Sequence, residues 1–464
     1  ITKVLKSNNS AGYGGGVNNS SSPVFTNVTI SGNTAYGGSE WNEGGTAAIR
    51  NSVIYGNGVN GQLNDVQNSL VQNQTNAAYT NAANHNLPTD TDPLFTDPDA
   101  GNYSPLYESP VINKGKNTLF DGLGADTKDL VGNARLFDTT VDMGAYECQI
   151  LQPVPDANGI VYIRQGGTGD GSSWANATGY LQRAISVAGV TQVWVAKGTY
   201  QPRSGQSFTM RQGVAIYGGF PDNDDNADMD DRDWSTHVAT LKGNGSSVIK
   251  NEDNALTAAD ILDGFTITGG ATFQYGGGIY NYNSSPVYTN LVITANSAYV
   301  GGGIAIYEGA APHLINVRIS GNTAASGGGG GNASSPLLTN VTISGNFASI
   351  IGGGGEWVDI FGTAIIRNSI IYGGGVGGDP MIDIQNSLVQ NQTDAAYTDA
   401  AHHNLPTGTD PLFTNPALGM YTLQPSSPAV NRGSNAFFAG LNAHTKDLAG
   451  NPRVFDFSNS GAVD

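Results

Sequence analysis

The feature that most constrains this chain is a short element that returns about every two dozen residues. Phe265-Thr266-Ile267-Thr268, Leu291-Val292-Ile293-Thr294, Val317-Arg318-Ile319-Ser320 and Val341-Thr342-Ile343-Ser344 are versions of one another, at spacings of 26, 26 and 24 residues. Each alternates apolar and polar residues, the period of a half-buried strand, and is too short and too β-branched for a helix. Glycine runs such as Gly276 to Gly278 and Gly301 to Gly303 lie between them, followed by Ser-Ser-Pro or Ala-Ala-Pro. Strands at this period make one coil of a β-solenoid, and the Leu-x-x-Leu-x-Leu frame of leucine-rich repeats is missing. Asn27, Asn290, Asn316 and Asn340 precede the strand, and Asn33, Asn296, Asn322 and Asn346 follow it. Stacked amides hydrogen-bond from coil to coil, and asparagine tolerates the left-handed corners a coil needs. These eight residues are the expected structural ladder.

A second, longer repeat lies over the first. Asn27 to Asn33 returns at Asn340 to Asn346, Arg50 to Gly56 at Arg367 to Gly373, and Asn68 to Thr75 at Asn386 to Thr393, with the offset drifting from 313 to 318. A unit of a little over 300 residues in tandem accounts for this, and the chain reads as an excised or mature piece of something longer. The expected organisation is C-terminal coils of a first unit at 1–104 and an end segment at 105–151. A cap with the first coils of a second unit follows at 152–240, then coils at 241–422 and an incomplete end segment at 423–464. Tyr180 to Ala188 has helical spacing, with Leu181, Ala184, Ile185 and Ala188 on one face and Gly189 as its stop. A short helix there would cover the open end of the solenoid. Stacking ten to twelve coils would make each unit a stalk of roughly 50 Å.

Composition narrows the function classes. Only 12% of residues are charged, and the formal net charge is −18. An acidic surface poor in Lys and Arg repels phosphate backbones and anionic lipid, so neither nucleic acid nor a membrane surface is an expected partner. No stretch has the apolar length of a membrane span. A lone cysteine, Cys148, leaves no internal disulfide framework.

Several stretches carry a family resemblance. Gly169-Asp170-Gly171-Ser172-Ser173-Trp174, Val193-Trp194-Val195-Ala196-Lys197-Gly198-Thr199-Tyr200 and Val214-Ala215-Ile216-Tyr217-Gly218-Gly219-Phe220 look like the start of bacterial right-handed parallel β-helix surface proteins. The Ile-Ser-Gly-Asn and Gly-Gly-Gly-Ile coils resemble polymorphic outer-membrane-protein repeats. Asp129 to Arg135 followed by Val141-Asp142-Met143-Gly144-Ala145-Tyr146-Glu147 is similar to a choice-of-anchor Q end segment. The second copy matches it with Asp447 to Arg453 and Val463-Asp464. The resemblance implies an all-β, right-handed parallel β-helix with a short N-terminal capping helix in each tandem unit. It also implies export to the bacterial surface.

Chemistry is sparse in the sequence. Asp222, Asp224, Asp225, Asp228, Asp230, Asp231 and Asp233 form the best carboxylate cluster. It reads as a solvated acidic loop or a Ca²⁺ site held by Asp222, Asp224, Asp228 and Asp230, though the glycine and closing glutamate of an EF-hand loop are missing. His85, His237, His313, His402, His403 and His444 form no metal-binding spacing, and no serine sits in a nucleophile elbow. Trp41 and Trp357 repeat at matched positions and are expected over a coil edge or loop. The sequence thus points to a non-enzymatic, secreted structural or adhesive rod. Its partners would be neighbouring copies, adjacent units or surface glycans. The alternative is a polysaccharide-binding or polysaccharide-cleaving β-helix.

Overall fold

The fold comes from a computed structural model that describes the chain except residues 62, 75, 351–353, 361, 379–382, 391–399, 439–440, 443–444 and 455–464. The chain divides into two compact units, Ile1–Gln152 and Pro153–Asp464.

In the second unit, nine strands stack in parallel. They are Ile160–Ile163, Gln192–Ala196, Ala215–Phe220, Ile261–Asp263, Val287–Thr294, His313–Ser320, Leu337–Ser344, Ile365–Arg367 and Asp383–Gln385. Their register places Ile293 beside Ile319 and Ile319 beside Ile343, so equivalent side chains pile along one line. A second parallel sheet runs from Ile249–Glu252 through Ile279–Tyr282, Ile304–Tyr307, Gly330–Asn332 and Trp357–Asp359 to Val376–Gly378. The interior is one continuous apolar cluster from Val161 to Val389. This is a parallel β-solenoid. Nine strands span about 40 Å at β-ladder spacing, so the unit is shorter than ten to twelve coils would make it.

The first unit repeats the plan on a smaller scale. Leu5–Lys6, Thr29–Ser31, Val53–Tyr55 and Leu70–Val71 pair in parallel, as do Val17–Asn19, Trp41–Glu43 and Val59–Asn60.

Local conformation explains the coil. In the eight-residue strands Val287–Thr294, His313–Ser320 and Leu337–Ser344, an asparagine in mid-strand (Asn290, Asn316, Asn340) takes φ of 52° to 55° and turns the strand onto the next face. These asparagines are corners within a strand, not the residues before it. In the glycine runs the first member turns left-handed, as Gly301 does at φ 68°. The third packs against the next coil: a Cβ on Gly303 would lie 2.5 Å from the Gly329 carbonyl oxygen. Only glycine fits both demands.

The cap helix spans Leu181–Ser186 and buries Leu181, Ala184 and Ile185 on the first coil's core residues Val161, Ile163, Val193 and Val195. It is shorter than the spacing predicts. Val187 leaves helical geometry at φ −70°, ψ 148°, so Ala188 is exposed and Gly189 lies beyond the helix. Trp41 and Trp357 also depart from expectation. Both are fully buried, inside the two columns. Trp41 meets the Phe25 ring edge-on at 4.6 Å. Trp357 faces Gly330, where a Cβ would lie 2.3 Å from the indole. Trp357 fills interior space that Gly330 on the previous coil leaves open, whereas Trp41 is paired with Val17.

The end segments do not continue the coils. Each begins after an antiparallel hairpin, Phe95–Asp97 with Asn102–Pro105 or Phe413–Asn415 with Met420–Leu423, and runs back along the flank of its own unit. In the first unit, Asn68 donates to Lys114 O at 3.1 Å, Asn51 to Lys116 O at 3.0 Å and Asn27 to Asp142 O at 3.1 Å. In the second, Asn386 donates to Arg432 O at 2.9 Å, Asn368 to Ser434 O at 2.9 Å and Asn316 to Lys446 O at 3.3 Å. The corner asparagines thereby satisfy the backbone of a strap that has no strand partner of its own.

Candidate glycan-binding flank

The asparagines singled out by sequence fall into two ladders. The corner ladder joins Asn316 to Asn290 at 2.7 Å and Asn290 to Asp263 at 2.8 Å, and Asn27 and Asn340 occupy equivalent corners. The other ladder is buried. Asn296 donates to Asn322 Oδ1 at 3.0 Å, Asn322 to Asn346 Oδ1 at 2.9 Å, and Asn346 to Glu356 Oε2 at 2.6 Å. In the first unit, Asn9 donates to Asn33 Oδ1 at 2.8 Å and Asn33 to Glu40 Oε2 at 2.7 Å. Sequence reasoning missed Glu40 and Glu356, although the pairs Glu40-Trp41 and Glu356-Trp357 recur at matched positions. Both carboxylates are fully buried, and burial pushes their pKa values up against the opposing pull of the asparagine and backbone donors.

The acidic loop is built as a set of turns. Asp225 pairs with Arg164 at 3.0 Å. Asp228 accepts from the backbone of Asp230, and Asp231 accepts from that of Asp228, capping the single turn Met229–Asp231. Asp224 accepts from the backbone of Asn226. Among the described residues no three acidic, histidine or cysteine side chains converge as metal ligands, and that includes Asp222, Asp224, Asp228 and Asp230. His85 and His403 both sit in left-handed turns, at φ 52° and 56°. His444 and part of the glycine run beginning at Gly352 lie outside the described residues.

The outward face of the second sheet in the Pro153–Asp464 unit carries the most distinctive surface chemistry. Lys250 pairs with Tyr280 across the ladder, Glu252 with Tyr282, and Tyr282 with Tyr307. In a parallel sheet, paired residues share a face, so these side chains form columns on adjacent rungs. Tyr275 leans over them from the neighbouring loop. Its ring lies 4.8 Å from that of Tyr307 and 6.2 Å from that of Tyr280, the latter nearly parallel at 20°. Tyr280 is 6.4 Å from Tyr282 and 6.5 Å from Tyr307. Lys250 and Glu252 pair at 2.6 Å at one edge, with the Lys250 ammonium 5.9 Å from the Tyr280 ring. Burial among its neighbours and the adjacent Glu252 carboxylate push the Tyr280 hydroxyl up to about 12, so it remains a neutral donor. Tyr275 is 42% exposed, and Phe273 beside it is wholly exposed.

The result is a partly exposed aromatic platform, rimmed by a cation, an anion and neutral hydroxyl donors. Such a surface stacks against apolar C–H faces while hydrogen-bonding around their edges, which is the chemistry of a sugar ring. The sequence signal was present in Tyr280-Asn281-Tyr282 and Tyr307, but tyrosine is a common strand former, and only the rung register shows that these rings meet.

No protein-family model matches the chain, and no curated protein matches it. A solved structure described as a crystal structure of pectate lyase Pel9A is similar over 51% of this chain and 63% of its own, at 14% identity and a TM-score of 0.33. This chain thus spans a little under two thirds of the length of that structure. The expectation of a non-enzymatic chain is withdrawn on this finding: the similar structure is that of an enzyme, so a parallel β-solenoid is no ground for excluding catalysis.

Proposed function

We propose that this chain is an extracellular, adhesive β-helix of a bacterial cell surface whose second unit holds glycan chains on the tyrosine flank. The observation that carries the reading is the convergence of Tyr275, Tyr280, Tyr282 and Tyr307 from adjacent rungs beside the Lys250–Glu252 pair. Three large rings on an outward β-face, with a fourth leaning over them from the neighbouring loop, leave apolar area in water that small polar residues would not, and a ligand that stacks on them removes it. The rigid ladder beneath holds the rings in place, so little side-chain freedom is lost on binding. In this reading the solenoid is a scaffold that projects the flank, with tandem units or neighbouring copies extending it.

The test is affinity electrophoresis of the 464-residue chain in gels containing neutral or acidic polysaccharides. Retardation by at least one glycan is expected. Tyr280→Ala with Tyr307→Ala should weaken it about tenfold or more while the melting temperature changes little. Absence of retardation by every glycan class would remove the reading. Shortening of the glycan by the unaltered chain would replace adhesion with cleavage.

A further inference from the structure

The tyrosine flank has an acidic border. The register sets Glu252 beside Tyr282 and Tyr282 beside Tyr307, so the residues that follow them, Asp253, Asn283 and Glu308, occupy one corner on three successive rungs. All three take left-handed φ, at 50°, 48° and 44°. Backbone bonds tie this corner to the platform: Asp253 N–H donates to Tyr282 O at 3.1 Å and Asn283 N–H to Tyr307 O at 3.3 Å. The side chains are linked as well, with Asn283 Nδ2 donating to Asp253 Oδ1 at 2.9 Å. Asp253, Asn283 and Glu308 are all exposed.

The charges on this side of the platform do not balance. Glu252, Asp253 and Glu308 bring carboxylates, and the Lys250 ammonium is already paired with Glu252 at 2.6 Å. The Tyr280 hydroxyl registers the result: burial raises its pKa most, and the Glu252 and Asp253 carboxylates raise it further. The net charge of −18 on the whole chain adds a field of the same sign.

Resting on the glycan reading above, we infer that this flank takes uncharged glycans and turns anionic ones away, with Asp253 and Glu308 accepting hydrogen bonds from sugar hydroxyls at the rim. An ionised carboxylate only accepts, and O–H donors to it make the stronger class of hydrogen bond. A neutral sugar ring lying on the tyrosines offers hydroxyls around its edge. A uronate or sulfated ring brings an anion instead, which has no hydrogen to give and meets like charge within a Debye length of about 8 Å.

The experiment compares matched polymers by affinity electrophoresis of the 464-residue chain beside a non-binding reference protein. The pairs are hydroxyethyl and carboxymethyl cellulose, hydroxyethyl and carboxymethyl starch, and dextran and carboxymethyl dextran, together with any other glycan that retards the chain and its carboxymethyl derivative. Within a pair the sugar backbone is shared and the charge differs. At low salt the uncharged member should retard the chain at least about threefold more strongly, and about 0.3 M salt should close most of that gap. Asp253→Asn with Glu308→Gln keeps two acceptors and removes two charges, so the low-salt gap should fall by about half or more with the melting temperature unchanged. Should the double variant misfold, Asp253→Asn alone gives the same readout, at a corner where Asn283 already shows that asparagine fits. Equal or stronger retardation by the carboxymethyl members, or retardation by anionic glycans only, would overturn this inference and leave the glycan reading standing. A gap that the variants do not change would overturn it too, since the repulsion would then come from the rest of the chain. Retardation by no glycan of any class would remove the glycan reading itself.

Discussion

The rungs at Trp41–Glu43 and Trp357–Asp359 occupy equivalent places in the two units, and their inner and outer sides diverge. Inside, the match is close: each rung has a buried tryptophan, and each is preceded by a buried glutamate that receives an asparagine ladder. A second ladder also ends on an acid in both, Asn19 on Glu43 at 2.8 Å and Asn332 on Asp359 at 3.2 Å. On the opposite side of the rung, the first unit carries an amide column, Asn60 to Asn42 to Asn18, with Asn18 and Asn60 exposed, where the second has the half-buried Gly377 and the buried Val358 and Gly331. The interior is fixed by volume and by unmet hydrogen bonds, both expensive to violate. The other side varies more: in the first unit water can satisfy the exposed ends of an amide column, and in the second apolar and glycine residues leave no polar side chain to satisfy.

That contrast can be broken from the inside out. Trp357→Ala should produce the largest effect, about 4 kcal/mol from a cavity in a closed column, read by denaturant unfolding. An equal loss from Trp41→Ala in the first unit would support the parallel, and a loss below about 1 kcal/mol at either site would end it. Asn322→Leu comes next. It removes the Asn322 Oδ1 that accepts from both the backbone N–H and the carboxamide N–H of Asn296, and about 2–3 kcal/mol should go. Asn42→Ala, on the partly exposed column, should change stability by less than about 0.5 kcal/mol; a loss as large as that of Asn322→Leu would refute the distinction between the ladders.

Acidity sharpens the comparison. Burial, with the neighbouring Asp142 charge, pushes Glu147 up to about 8 against the pull of Arg135. Its folded pKa is raised above the unfolded value, so the stabilisation is full below the ordinary glutamate range and is lost as pH rises through about 8. The pH dependence should therefore concentrate in the first unit, where Glu147 locks the strap. Hydrogen-exchange protection at Val53–Tyr55 should fall between pH 5 and pH 9, more than at Ile370–Tyr372, and Glu147→Gln should flatten the difference. A larger loss at Ile370–Tyr372 would overturn this account.

Much of the column was legible in the sequence because a coil repeats its own local rules. Apolar alternation set the strands, the asparagines marked the corners and the Leu181 helix showed the capped end. What escaped was everything that depends on what one coil places beside another. Trp357 is inside because Gly330 on the previous rung makes room for it. The straps at 105–147 and 423–453 lack periodicity, and their partners are corner amides far away in sequence. The tyrosine platform required the register that sets Tyr282 against Tyr307.

The buried amide row has a direction, since every carboxamide donates toward the following coil. A carboxylate has no N–H to hand on. Glu40 and Glu356 therefore act as terminators: the relay of donors stops at them, whichever coils come after. Extra coils inserted ahead of either glutamate would lengthen the relay, while coils added behind it would start without an incoming donor. A single acidic side chain thus limits how many turns one uninterrupted relay can join, and Glu356→Asn is the change that would let it run on.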